Sequence, residues 1–330
     1  MKTNGFVSPN GSEQQNSGEP KPTEAIEGIL KIFDRFPLVA LGEWHGSRTE
    51  HDFIVSLIQH PAFPNKVNDI VVEFGNALYQ PVIDRYIAGE TVAHTELRQA
   101  WRNTTQITLL FDLPIYERFF VTVRAVNQHL PKQKQLRVLL GDPPIDWSII
   151  ENRAQHDSFM MIRDDHFANV IEREVLGKKR RALLIAGTGH LYRVRIMNVT
   201  RRLDQLHPGA VFVVIPHDGF EEKSNDELEK RLASWPQPGL AHVKNTWLGN
   251  LDPDVIFPEP KRGISIMPDG SIVPAPRHYE GMKIQEITDA YLYLGPEASL
   301  VKDVLPPEIW QDAEYQHELQ RRSSLPRNEK

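Results

Sequence analysis

Five short, unbroken apolar runs divide the first two-thirds of this 330-residue chain. They fall at 37–42, 69–74, 136–140, 181–187 and 210–215. Each is too short for a buried helix and has the length of a strand. None alternates between apolar and polar residues, as a half-solvated strand would, so both faces of each run must be covered. Between the runs the apolar residues recur at helical spacing. Phe53, Ile54, Leu57 and Ile58 form such a stripe, and Ser47 with Glu50 gives it a capping signature. Strands alternating with helices predict an α/β fold, a mostly parallel sheet with helices on both faces. Helices are expected at 26–33 behind a Thr23 cap, and at 47–59, 77–88, 93–102, 114–130 and 156–177.

The remaining chain has a different texture. Residues 1–22 are rich in Ser, Asn, Gln, Gly and Pro and read as a disordered tail. The α/β unit spans 23–235. From 236 to 330 prolines break the pattern, and this stretch reads as a C-terminal extension packed on the main domain. Within it, Pro268-Asp269-Gly270 between Ile264/Ile266 and Ile272/Val273 reads as a hairpin turn. Ile284 to Leu294 supplies a last helix or strand.

Charge and composition remove several classes of function. With 38 Lys and Arg against 44 Asp and Glu, the net charge of -6 gives no footprint for nucleic acid. The one dense basic run, Lys178 to Arg181, follows a helix and suits its C-terminal dipole. Cysteine is absent, which removes disulfides, thiolate zinc sites and thiol catalysis. No apolar run approaches the roughly 18 residues of a membrane helix, and the N-terminus lacks the apolar core of a secretory signal. A cytoplasmic protein acting on a small molecule is the expectation. The oligomeric state leaves no trace in the sequence.

What the strands end in is unusual. The run at 37–42 delivers Gly42-Glu43-Trp44-His45. The second ends in Glu73 before Gly75, the third in Gly141-Asp142, and the fourth in Gly187-Thr188-Gly189-His190. Titratable groups left unpaired in a buried place cost several kcal/mol, roughly 2–7 even for a neutral polar group. The carboxyl ends of parallel strands, however, are where ligands bind. A shared crevice holding Glu43, His45, Glu73, Asp142 and His190 follows if the strands are neighbours. Glu43 and His45 are two residues apart and face one side if the chain is still extended. Such a pair suits general acid–base work, a metal site, or a structural ion pair that closes a loop. Arg48 is a candidate cation for a substrate carboxylate or an oxyanion, and a salt bridge to Glu50 or Glu73 fits equally well. Arg163, in the polar cluster Arg163 to His166 of a predicted helix, can reach the crevice toward a substrate or lie on a solvated face. His51, His217 with Asp218, and Trp101-Arg102-Asn103 carry weaker signals.

These motifs resemble the erythromycin-esterase-like, ChaN-like and Tiki-type proteins. The resemblance lies in the strand ending Gly42-Glu43-Trp44-His45, the strand-end Glu73, and the late Gly187-x-x-His190. The stretch His45-Gly-Ser-Arg48-Thr-Glu50 and the helix residues Arg163-Asp164 are similar to the esterase branch. The tight Glu-x-His spacing looks more like the other two. It covers about residues 37–215 and implies three activities. The esterase branch implies hydrolysis of an ester, lactone or related bond, with His45 as base, Glu43, Glu73 and His190 completing the catalytic set, Arg48, Asp142 and Arg163 toward the substrate, and no required cofactor. The Tiki branch implies a divalent metal held by His45, Glu73 and His190, and a peptidase. The ChaN branch implies haem bound through His45 or His190.

Overall fold

The computed structural model describes residues 18–194, 196–217, 226–256, 264–266, 272–274 and 279–327. Among the described residues ten strands form in chain order: β1 Thr23–Glu24, β2 Leu38–Glu43, β3 Asp69–Asn76, β4 Arg137–Asp142, β5 Ala182–Gly187, β6 Val211–Pro216, β7 Gly239–His242, β8 Ile264–Ile266, β9 Ile272–Pro274 and β10 Ala290–Tyr293. Eight of them make one sheet in the order β1-β7-β10-β6-β2-β5-β3-β4. From β10 to β4 every pairing is parallel, and β7 joins antiparallel to β10. The fold is α/β with a mostly parallel sheet, as the apolar runs predict.

Alternation along each strand divides the core. Val39 and Leu41 of β2 point into one apolar layer with Ile54, Leu57, Phe119 and Val123. Leu38 and Ala40 point into the other with Phe167, Ile171, Val199 and Leu203. Helices therefore cover both faces: Arg48–Gln59 and Pro114–Gln128 on one, Arg163–Glu174 and Val199–Leu206 on the other. Because β2, β5, β3 and β4 run in one direction, all four deliver their C-terminal residues to the same edge of the sheet.

Several elements differ from the sequence expectation. Thr23 does not cap the first helix. It pairs with Leu240 in β1, and Glu24 caps instead, accepting the Glu27 N–H at 2.8 Å. The expected helix at 156–177 is two helices, Arg153–Met161 and Arg163–Glu174, separated at Ile162. The segment beyond 236 does more than pack against the α/β unit, since β7 and β10 extend its central sheet. These strands are four residues long, too short for their apolar pattern to stand out among the prolines. Ile284 to Leu294 holds both a short helix, Ile284–Ile287, and β10. β8 and β9 pair antiparallel; the turn expected between them lies outside the described residues, as do residues 1–17 of the expected tail. Among the described residues, no helix is long and apolar enough to cross a membrane.

Candidate active site

β2 and β5 are adjacent and in register, with Glu43 opposite Gly187. This register places the two Gly-x-x-His segments side by side at the sheet edge. After Glu43 the chain turns through Gly46, whose φ of +85° is strained for any side chain with a Cβ. Ser47 caps the following helix by accepting the Glu50 N–H. His45 is thus held at a strand-to-helix turn, with a quarter of its side chain exposed. A close backbone approach makes room for it: a Cβ on Gly187 would lie 2.8 Å from His45 Nε2. The register of β3 against β4 shifts between Val72 and Asn76. A shift of this kind re-aims side chains at a sheet edge, and Glu73 lies within it.

Glu73 is at the centre of the cluster and fully buried. Its Oε1 accepts from Arg163 Nη2 at 2.7 Å and lies 3.4 Å from His190 Nε2. Its Oε2 accepts the Gly187 N–H at 2.6 Å and lies 3.7 Å from His45 Nε2. The two imidazoles therefore flank one carboxylate. Burial alone would raise the Glu73 pKa, but the charges of His190, His45 and Arg163 hold it well below the usual carboxylate range. His190 is gripped on its other nitrogen by the Asp164 carboxylate. Burial opposes its protonation, yet Glu73 and Asp164 together raise its pKa to about 10.

On the far side of His45 lies Glu43, also buried. Its Oε1 accepts the Tyr116 hydroxyl at 2.6 Å and is 3.2 Å from His51 Nε2 and 3.5 Å from His45 Nδ1. Burial pushes the Glu43 pKa up, but His51 and His45 bring it down to about 2. For His45, burial lowers the pKa, whereas the nearby Glu43 and Glu73 carboxylates raise it above its ordinary value. The edge of the His45 ring meets Phe111 at 5.5 Å between centroids.

The other predicted residues divide. Asp142 and Arg163 are in the cluster, but behind it. Asp142 accepts from Thr105 N and Oγ1, both at 2.6 Å, and from Arg163 Nε at 3.1 Å. Arg163 is thereby fixed between Asp142 and Glu73, and burial keeps the Asp142 pKa up at about 6 despite these donors. Arg48 is turned away: Nη2 and Nε bond Asp303 Oδ1 at 2.7 and 3.1 Å. His51 joins the site through Glu43. Trp101 stacks on Phe120 in the core, and Arg102 pairs with Asp112 and Asp312. Tyr116 and Asp303 carry no signal in the sequence. Tyr116 sits in an ordinary amphipathic helix, and Asp303 lies more than 250 residues from the loop it touches.

Glu73 already has Arg163, Gly187 and His190 on its two oxygens, and both imidazole Nε2 atoms face it. Glu73 Oε1 is taken by Arg163 and approached by His190, whereas His45 Nε2 makes no hydrogen bond to Glu73 and stays available to a water or a metal ion. Among the described residues, the side chains whose ligand atoms all lie within 4.8 Å of one another are His217, Glu229 and Glu297. His217, one strand away at the end of β6, bonds Tyr291 through Nδ1 and Glu229 through Nε2.

No protein-family model matches the chain, and no curated protein matches its sequence. Solved structures share its fold. A succinoglycan biosynthesis protein superposes with a TM-score of 0.57 at 9% identity, covering 88% of this chain and 97% of that one. A mutant of the erythromycin esterase EreC in its open conformation gives 0.53 at 12% identity, over 85% and 95%. A protein from Bacillus cereus gives 0.53 at 9% identity, over 87% and 97%. The fold of the resemblance read from the strand-end motifs is therefore present along most of the chain.

Proposed function

We propose that this chain is a hydrolase of the erythromycin-esterase-like type, cleaving an ester, lactone or related bond with water. The observation that carries this reading is the pair of imidazoles set on either side of one buried carboxylate, each held by a second carboxylate of its own. His45 is the base. The 3.7 Å between its Nε2 and Glu73 Oε2 is too long for a direct hydrogen bond, which leaves Nε2 free to accept from a water. His45 takes a proton as the water oxygen bonds to the acyl carbon. The imidazolium that forms lies between Glu43 and Glu73, whose negative charges stabilise it. His190, protonated and aimed from the opposite side, donates to the developing oxyanion. The acyl–oxygen bond then breaks, and His45 returns its proton to the leaving alkoxide.

Arg163 and Asp142 support the site from behind by holding Glu73 in place. The test is turnover of a panel of chromogenic esters and macrocyclic lactones by His45→Ala. General acid–base catalysis by one positioned group is worth about 10²–10⁴ in rate, and a loss of that size is expected from a folded variant. Turnover close to that of the parent would overturn the assignment. Activity that vanishes on chelation and returns with one added metal would instead favour a metal-dependent hydrolase.

A further inference from the structure

The helix Arg163–Glu174 begins with two charged residues that do different work. Arg163 reaches Glu73 and Asp142. Asp164, its neighbour in sequence, bonds His190 Nδ1. Glu73 is within 3.4 Å of His190 Nε2, so Arg163, Glu73, His190 and Asp164 form a chain of alternating charge that begins and ends on adjacent residues of one helix. The next Asp does not join it. Asp165 turns outward to Arg202. One turn along, Phe167 lies parallel to the His190 ring, at 6.2 Å between centroids and 13° between planes. A single helix thus touches His190 on an edge and on a face.

The backbone around His190 gives the ring no comparable constraint. It sits in a short turn, Thr188–His190, beside a glycine with open space around it. We propose that Asp164 is a positioning residue for His190: by accepting the Nδ1 proton it fixes the ring so that Nε2–H points toward Glu73 and the crevice. This rests on the assignment of His190 as a proton donor to the substrate. Without Asp164 the imidazole can rotate about its χ angles or place its proton on either nitrogen, and its Nε2 no longer has a fixed aim. Asp164 itself does not contact the reacting atoms.

The experiment uses the full chain and two readouts. Nitrogen-15 NMR of the His190 side chain reports which ring nitrogens carry protons, without any substrate. The parent should show an Nδ1 proton protected by its hydrogen bond. Asp164→Ala should lose that protection, and Asp165→Ala should keep it. With an ester substrate, Asp164→Ala should lose about 10- to 100-fold in kcat, the usual cost of removing the group that orients a working histidine. Asp164→Asn keeps an acceptor oxygen and should recover part of the loss. An unchanged Nδ1 signal in a folded Asp164→Ala protein, or an unchanged kcat, overturns the proposal. If Asp164→Ala loses the signal and the parent hydrolyses no ester or lactone, the positioning role stands and the hydrolase assignment falls.

Discussion

The two halves of the site are built on opposite principles. Around Glu73 the polar groups are fully engaged: a guanidinium, a backbone N–H and an imidazole meet one carboxylate, and Asp142 secures the guanidinium from behind. Among the described residues no Lys or Arg pairs with Glu43. A phenol and the His51 imidazole bond one oxygen and His45 Nδ1 stands 3.5 Å from it, while Glu43 Oε2, His45 Nδ1 and His51 Nδ1 are buried without a hydrogen-bond partner among those residues. Charge-assisted bonds with matched geometry are short and stiff. The Glu43 half has slack that the Glu73 half lacks. A base must bind and release a proton within each turnover, and an ion-paired network resists that exchange. The difference suits a division of labour, with Glu73 and His190 fixing the electric field and His45 free to change its charge within it.

Removing Arg163 should break this contrast most severely. Glu73 and Asp142 are both fully buried, and Arg163 is the guanidinium between them. Deleting one partner of a buried ion pair costs about 3–5 kcal/mol, because the other is left as an uncompensated charge. Arg163→Ala should therefore lower the unfolding free energy by an amount of that order, seen as a lower denaturant midpoint at nearly unchanged slope. Thermal or urea unfolding followed by circular dichroism measures it. A loss below about 1 kcal/mol, the level of a surface pair, would mean that the Glu73 half is not held by its cation.

The site should also lose stability at both ends of the pH scale, since each half pairs a lowered carboxylate with a raised imidazole. Glu43 is lowered to about 2 in the folded protein. Its contribution is present above the unfolded carboxylate value, about 4.3, and is lost as pH falls through about 2. His190 is raised to about 10. Its contribution is complete below the unfolded imidazole value, about 6.5, and is lost as pH rises through about 10. Stability measured against pH should show both limbs. Substituting His190 with Gln should flatten the alkaline limb and, because Glu73 owes its low pKa first to His190, weaken the Glu73 part of the acid limb while the Glu43 part remains. An unchanged alkaline limb would show that His190 does not carry it.

How legible each half was in the sequence follows from the same geometry. Glu43, His45, Glu73 and His190 stand at strand ends, and a strand end is visible in one dimension as an apolar run that stops. Parallel neighbours then bring such ends together without further information. Asp142 is legible for the same reason, and Arg163 only as part of a polar cluster on a helix; that both stand behind the carboxylate is set by packing the sequence does not display. Tyr116, Asp164 and Asp303 reach the site across helix-to-strand packing or from a distant segment. Tyr116 fills a position that any buried aromatic would fill, and only its hydroxyl, aimed at Glu43, distinguishes it. The break at Ile162 likewise has no cap or glycine to announce it.

Arg48 offers the smallest expected effect and the finest test of the comparison. As a cation three residues after the base it looks suited to hold a substrate. In the fold it is half exposed and spends its donors on Asp303, whose own N–H bonds Gly46 O at 2.8 Å and whose Oδ2 accepts the Ile115 N–H at 3.0 Å. Asp303 is therefore the buried knot, tying the loop behind His45 to the start of the helix that carries Tyr116. Arg48 is its outermost strand. Arg48→Ala should change KM little and leave thermal stability nearly where it was, since solvent already screens an exposed guanidinium. Asp303→Ala should cost more in both stability and kcat, because it leaves the Ile115 N–H without its acceptor and removes the carboxylate that ties Arg48 to the start of the next helix, loosening the Glu43 half. A large rise in KM for Arg48→Ala, with Asp303→Ala silent, would put the guanidinium back in the crevice and reverse the order of the two residues.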